Sequence, residues 1–486
     1  MSDDDNTADL SLGRETAVAM FAKFALSATG FIGIVIFANV LDNEGLGKYY
    51  FLLALAKVSV QIPGGFANAI RKRVSEVGVD PSEYFGFGLL VHSVFTGVTL
   101  ALVVVSYPFI QDRVGPFAFA VATVAIVGTL GLFSLVNRVY SGIGHPGASF
   151  WTDTVRSVIT LGLQVVFLIV GFRVLGMMGG LIIANVLTAV LVLMLMRVRP
   201  RIPATETVRR VTTFAKWSVP NSLFQNLYMR LDVLILGFVV GNAAVGLYEP
   251  ALRLTVPAAI IAGSIGDSLT VKASGLNSID HSVSEDLRNA LSYTCLFAIP
   301  ILFGAAAIPT ELMTVIFGTE ARPGWTALVG LAVFQVFNTY RLPFDNVISG
   351  MNRPDLRFRV SLFTLAVNAP LAIVLGFEYG LIGVVIATII AEVIRVLTYL
   401  GIAYRLFGQL MLPWQLVEQT SAGLVMFGVV VALSEAVAIT GWVSLVAVVG
   451  AGAVTYFAVL VVVSSHFRVT VRNVLADLGI TRAVGL

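Results

Sequence analysis

SGIGHPGASF, Ser141 to Phe150, returns 208 positions later as SGMNRPDLRF, Ser349 to Phe358. Both read Ser-Gly-apolar-x-x-Pro-x-x-x-Phe, and both lie between two apolar runs. Gly and Pro stop a helix and redirect the chain, so one turn is written twice. Other echoes accompany it. VLDNEGLGKYYFLL (Val40 to Leu53) and VGNAAVGLYEPAL (Val240 to Leu252) share Gly-x-Tyr at an offset of 199, and FRVLGMMGGLIIA (Phe172 to Ala184) is echoed by FEYGLIGVVIA (Phe377 to Ala387). The chain therefore reads as a duplication.

What is duplicated follows from composition. Hydrophobic residues make up 57% and charged residues 12%, against about 25% charged in a soluble domain, so the chain cannot cover a water-facing surface. Apolar runs of about 20 residues, the length that crosses a bilayer as a helix, follow one another with short polar breaks. About fourteen are expected, near Arg14–Ala38, Gly47–Phe66, Tyr84–Pro108, Phe117–Val136, Asp153–Phe172, Gly176–Met196, Trp217–Val240, Val245–Leu269, Asn289–Ala307, Trp325–Ile348, Phe358–Phe377, Leu381–Ala403, Leu416–Ala436 and Trp442–Val463. The fold class is an all-α membrane protein. Spans 1–6 and 7–12 form two pseudo-symmetric six-helix lobes of like orientation, since six is even, and spans 13 and 14 are an appendage. The expected boundaries are 1–205, 206–405 and 406–486.

Basic residues orient the spans. Of 31 Lys plus Arg, only Lys48, Arg113, Arg173 and Arg322 fall in loops on one side. Arg71-Lys72-Arg73, the run Arg197 to Lys216, and Arg353, Arg357 and Arg359 fall on the other, which places both termini in the cytoplasm. Trp151, Trp217, Trp325, Trp414 and Trp442 sit at expected span ends, the level their amphipathic rings prefer. MSDDDNTADL lacks the basic start of a signal peptide and no small-residue cleavage site follows, so the first span is expected to stay. A lone Cys295 and four scattered His offer no disulfide or metal spacing. There is no G-x-x-x-x-G-K-[ST] run and no room for a soluble catalytic domain. No catalytic residue, cofactor, metal or nucleic-acid partner is expected. The tail from His466 has an amphipathic pattern, with Val471, Val474, Leu475 and Leu478 at helical spacing, suited to the inner interface.

Charges inside spans locate the function, because each costs about 2.5–3.5 kcal/mol at the bilayer centre and faces protein or water. In the second span Lys57, Gln61, Gly64 and Asn68 follow i, i+4, i+7, i+11. In the seventh, Asn221, Gln225, Tyr228 and Asp232 repeat that spacing, which stacks each set on one helix face. Asn226 and Arg230 widen the second stripe, Lys23 with Ser27 gives the first span a shorter one, and Glu249 and Arg253 open the eighth. A polar, net-basic cavity lined by spans 1, 2, 7 and 8 is expected. Phosphate or diphosphate suits its Lys and Arg, through charge-assisted hydrogen bonds. A lipid-linked cargo fits, its head in the cavity and its tail in lipid. Glu249–Arg253, Arg341–Asp345 and Glu392–Arg395, all at i+3 or i+4, read either as coupling groups or as structural pairs that neutralise each other. Asp232 reads as a coupling group or as a structural anchor for Arg230.

At RLDVLILGFVVGNAAVGLYEPALRL, Arg230 to Leu254, the sequence resembles the polysaccharide, or O-antigen, flippases of the multidrug/oligosaccharidyl-lipid/polysaccharide (MOP) exporter superfamily. The pattern is R-x-D-x-x-x-L-G followed by V-G-x-Y-x-x-A-x-x-L, carried by Arg230, Asp232, Leu236, Gly237, Val245, Gly246, Tyr248, Ala251 and Leu254. The Ser141 decapeptide, FEYGLIGVVIA and VIFGTEARPGW also look like its loops, so the likeness spans roughly residues 14 to 405. It implies a MATE-like, V-shaped two-lobe transporter that turns lipid-linked oligosaccharides from the cytoplasmic to the outer leaflet of a prokaryotic plasma membrane. It also implies cationic residues on the first, second, seventh and eighth spans, where Lys23, Lys57, Arg230 and Arg253 stand. Two of these are Lys rather than Arg, which weakens bidentate phosphate contact.

With no nucleotide motor, the energy is expected from Na+ or H+ coupling, the membrane potential or removal of product, and the chain is expected to act as a monomer among membrane lipids. Two rivals differ in class. A multi-span glycosyltransferase could use Asp42-x-Glu44 to hold a metal, although the repeat twin Gly241-Asn242-Ala243 has no acids. An organic-cation antiporter of the same superfamily should have an acid-rich cavity instead.

Overall fold

The computed structural model describes residues 27–277 and 283–477, and every regular element among them is helical. In chain order these are α1 (Ser27–Val40), α2 (Asn43–Ser59), α3 (Gln61–Val74), α4 (Pro81–Val114), α5 (Phe117–Gly142), α6 (Pro146–Ile169), α7 (Arg173–Met196), α8 (Thr205–Ile235, ending in a π turn, Leu236–Val240) and α9 (Asn242–Asn277). There follow α10 (Ser284–Thr294), α11 (Ala298–Ala307), α12 (Pro309–Phe317), a 3-10 turn (Thr319–Gly324), α13 (Trp325–Gly350), α14 (Pro354–Phe407), α15 (Gln415–Ala436), α16 (Trp442–Val463) and α17 (Ser465–Asp477).

Ten helices among the described residues are long and apolar enough to cross a membrane, or eleven if α2 and α3, bent by 45°, count as one span. The count differs from the expected fourteen at four places. The first span falls largely outside the described residues, leaving the short α1. The second is bent. The tenth, α13, carries Asn338, Arg341 and Asp345 and is too polar to qualify. Spans eleven and twelve run on as the 54-residue α14, broken at Gly380 (φ 60°, ψ −133°), where an unbroken helix would be about 80 Å long, well beyond a ~30 Å hydrocarbon core. The ninth expected span stands as one of the ten, Ser284–Ala307, built from α10 and α11 with an irregular turn at Cys295–Phe297.

Lipid-facing surface is legible on α4. Leu90, Val94, Val98, Leu102, Val105 and Phe109 recur every three or four residues and are all exposed, an apolar stripe that water would not tolerate. All five tryptophans are exposed too. The chain is thus a multi-pass membrane protein.

Two compact units divide the chain, Met1–Gly246 and Leu247–Leu486. In the first, α3 packs against α4, α5 and α8 around fully buried Ile70, Val136, Val192 and Val211. In the second, α13 packs on α14, with Phe344 stacked on Tyr399 at 6.0 Å.

The repeated decapeptide makes the same turn in each unit. Ile143 (φ −82°, ψ 14°) matches Met351 (−75°, 10°), and His145 (−116°, 52°) matches Arg353 (−116°, 55°), each just before a Pro at the first helical position. Between them the chain goes left-handed, at Gly144 (φ 110°) in one copy and Asn352 (φ 58°) in the other, residue types that accept positive φ. Gly142 and Gly350 also mark close helix crossings: a β-carbon there would lie 2.9 Å from the Arg71 carbonyl oxygen and 2.7 Å from that of Thr270.

Candidate functional site

The second span does not present one straight stripe. Pro63 has no N–H for the Ser59 carbonyl and its ring crowds that turn, so the helix bends by 45° at Val60. Lys57 ends α2, while Gln61, Gly64 and Asn68 belong to α3, which corrects the single face read from spacing. Gln61 Nε2 still bridges the bend, donating to the Lys57 carbonyl at 3.0 Å.

Asn68 joins α3 to α8, its Nδ2 donating to Ser222 Oγ at 3.2 Å. The close approach has a cause next to it: a β-carbon on Gly65 would fall 2.5 Å from the Val219 Cα. The seventh-span stripe lies on α8, unbroken across Asn221 to Asp232. Asn221 and Gln225 are exposed and bonded to each other at 3.3 Å. Tyr228, Arg230 and Asp232 are half-buried further along, and Asn226 Nδ2 donates back to the Ser222 carbonyl at 3.1 Å. Within the first unit, amides from α3 and α8 thus share one polar region, with Lys57 at the end of α2 and Arg230 on α8. Lys57, Tyr228, Arg230 and Asp232 each make a further polar, ionic or aromatic contact. Lys23 lies outside the described residues.

In the second unit Glu249 is buried and Arg253 approaches it at 3.7 Å, with about a third of the arginine side chain exposed. Deeper, Arg341, Asp345, Glu392 and Arg395 are all buried and form one network rather than separate pairs. Arg341 bonds both Asp345 and Glu392, and Arg395 lies 3.6 Å from Asp345 and 3.9 Å from Glu392. Neutral groups complete it. Tyr399 donates to Asp345, Arg341 donates to Asn338 Oδ1 at 2.6 Å, and Arg395 donates to Ser361 Oγ at 3.1 Å. Sequence reading missed these three, although Tyr399 stands four residues after Arg395 and so on its face. Half-exposed Arg357 also approaches Asp345, at 4.0 Å, from the rim of the network.

Asp42 and Glu44, the acidic pair of the rival enzyme reading, are engaged separately. Arg173 reaches Asp42 at 3.1 Å, and Asn242 donates to Glu44 at 3.0 Å.

Comparison with known proteins fits these features. Residues 36–326 match the family described as polysaccharide biosynthesis protein. A relative named "Probable low-salt glycan biosynthesis flippase", from Haloferax volcanii, is 23% identical over 78% of this chain and 80% of its own. The "Probable flippase AglR" of the same organism is 24% identical over 92% and 95%. Among solved structures, a lipid II flippase MurJ in an inward closed conformation has a TM-score of 0.76 at 16% identity, over 92% of this chain and 98% of its own. An inward-facing multidrug resistance MATE transporter of the MOP superfamily scores 0.58 at 15% identity, over 79% and 95%. At such identities the structures establish the fold, and the sequence match over more than half the chain establishes the kinship. The chain belongs to the polysaccharide biosynthesis protein family.

Proposed function

We propose that the protein moves a lipid-linked oligosaccharide, a glycan on polyprenyl phosphate or diphosphate, from the cytoplasmic to the outer leaflet of a prokaryotic plasma membrane by alternating access. The product feeds cell-surface polysaccharide or glycoprotein assembly. Fourteen spans, with halves at 1–205 and 206–405, spans 13 and 14 in 406–486 and both termini in the cytoplasm, are part of this reading. The observation that carries it is the polar region where α3 meets α8 at Asn68–Ser222, in a family whose named relatives include a glycan-biosynthesis flippase. Lys57, Arg230 and Arg253, with Lys23, take the phosphates. Gln61, Asn68, Asn221, Gln225 and Tyr228 take sugar hydroxyls, which match amide and phenol groups in donor and acceptor capacity. Arg253 shares its charge with Glu249, so its contribution is the smaller one.

The membrane potential supplies about 2.3 kcal/mol per charge per 100 mV, enough to bias the direction of an anionic cargo. Na+ or H+ coupling adds to it. The test is accumulation of lipid-linked oligosaccharide in cells carrying Lys57→Ala with Arg253→Ala. Normal insertion with stalled export supports the reading. Normal export in the double variant removes both residues from the site, and drug sensitivity without a glycan defect turns the reading toward a cation antiporter.

A further inference from the structure

The duplicated chain supplies its own control for one crossing of helices. In the second unit α13 meets α9 where Gly350 backs onto Thr270. Thr270 Oγ1 there donates to Asn346 Oδ1 at 3.1 Å, joining the helices through a neutral hydrogen bond. In the first unit α5 meets α3 in the same way, Gly142 backing onto Arg71. Arg71 precedes Thr270 by 199 positions, the offset of Gly47 and Gly246, and Arg138 precedes Asn346 by 208, the offset of the two Ser-Gly turns. Where one unit holds Thr and Asn, the other holds two arginines.

The two arginines share this crossing, since the Arg71 carbonyl oxygen lies against Gly142. Arg138 stands one turn before Gly142, on the α5 face that meets α3, and is half-buried. Its guanidinium makes one hydrogen bond among the described residues, from Nε to Ser134 Oγ at 3.1 Å. Arg71 is exposed beside it. Among the described residues neither reaches a carboxylate, because the neighbouring acids are taken. Glu76 is held by Arg73 at 2.7 Å and Arg210 at 2.9 Å, and Asp80 by Arg201 at 3.2 Å. The next cation, Lys72, lies over the Phe214 ring. Arg71 occupies the last turn of α3, whose dipole eases like-charge repulsion without cancelling it.

Holding two helices together here requires only a neutral pair, as the second unit demonstrates. We infer that Arg71 and Arg138 form a binding site for a phosphate-bearing anion, taken between two guanidinium forks whose planar geometry matches phosphate oxygens. The site is separate from the Lys57 and Arg230 set and stands whether or not those residues hold the cargo.

The test uses the full chain in nanodiscs of uncharged lipid, as wild type and as Arg71→Thr with Arg138→Asn, which installs the second unit's own pair. Native mass spectrometry reads retention of a long-chain isoprenyl monophosphate and of the corresponding alcohol, and inorganic phosphate is added as competitor. The wild type should bind the monophosphate about tenfold or more tightly than the variant, the scale of losing two charge-assisted contacts. The alcohol should bind both alike, and the unliganded thermal midpoints should agree. Displacement by inorganic phosphate assigns the site to phosphate from any source, and resistance to it assigns the site to a lipid headgroup; both uphold it. Equal monophosphate binding overturns the site, and so does a lowered unliganded midpoint in the variant, which would make the arginines structural.

Discussion

Arg395 lies 3.6 Å from Asp345, and that approach closes a ring of alternating charge through Glu392 and Arg341. All four side chains are buried, so removing one member strands an opposite charge in low dielectric. Glu392→Ala is therefore expected to cost about 3–5 kcal/mol. Adding Arg395→Leu, which removes a stranded charge, should recover part of the loss. Thermal unfolding of the purified protein measures both, and equal midpoints for wild type and single variant would show that the ring contributes nothing.

Within the first unit, two repeat-related glycines let backbones touch. A β-carbon on Gly47 would fall 1.7 Å from the Asn242 carbonyl oxygen, and one on Gly246 would fall 2.0 Å from that of Asn43. Backbone cannot yield as a side-chain tip does. Gly47→Ala and Gly246→Ala should each lower stability by about 3 kcal/mol or more. Gly162→Ala, with open space around it, should change stability by no more than about 1 kcal/mol, and in the favourable direction. Yield of monodisperse protein and its thermal midpoint separate the two classes.

Asp80 caps α4, its Oδ1 accepting from the Ser82 N–H at 3.0 Å. That bond, with help from Arg201, holds its carboxyl below the usual aspartate value of 3.8. A depressed acid stabilises the fold fully above its unfolded pKa and loses that contribution as pH falls through the lower folded value. Asp80→Ala should cost about 1 kcal/mol near neutrality, and the gap between wild type and variant should close below about pH 3. Melting curves across pH 2.5 to 7 are the measurement; a gap that persists in acid would assign the effect to something other than the charge.

Pro63 is the cause assigned to the bend at Val60. Pro63→Ala should restore a backbone bond to the Ser59 carbonyl, raise the thermal midpoint and slow the proposed export, because it carries Asn68 away from Ser222 on α8. Faster or unchanged export would mean that the bend is not needed for transport.

Much of this architecture could be read from residues alone, and the rest could not for definable reasons. Trp442 and Val463 bound α16 as hydropathy places them, because apolar length and an interfacial Trp are local signals. The twin turns are legible because Gly and Pro act within a few residues. Arg341–Asp345 is legible as an i, i+4 pair, but Glu392 is 51 positions away, and no spacing rule reaches that far. The polar stripe through Lys57 and Asn68 presupposes a straight helix, and Pro63 breaks that premise. The arginine pair at the α3–α5 crossing stayed hidden because the offset drifts from 199 to 208 between repeats, so no single alignment sets both arginines against their counterparts.

The buried ring also constrains how the chain is made. On leaving the ribosome, α13 carries Arg341 and Asp345 already paired one turn apart, which lowers the cost of about 2.5–3.5 kcal/mol that each lone central ion would meet in hydrocarbon, while Glu392 and Arg395 do not yet exist. Only when synthesis has passed Arg395 can the full ring close, so its last two charges are sealed into place after the chain beyond Gly380 has been made.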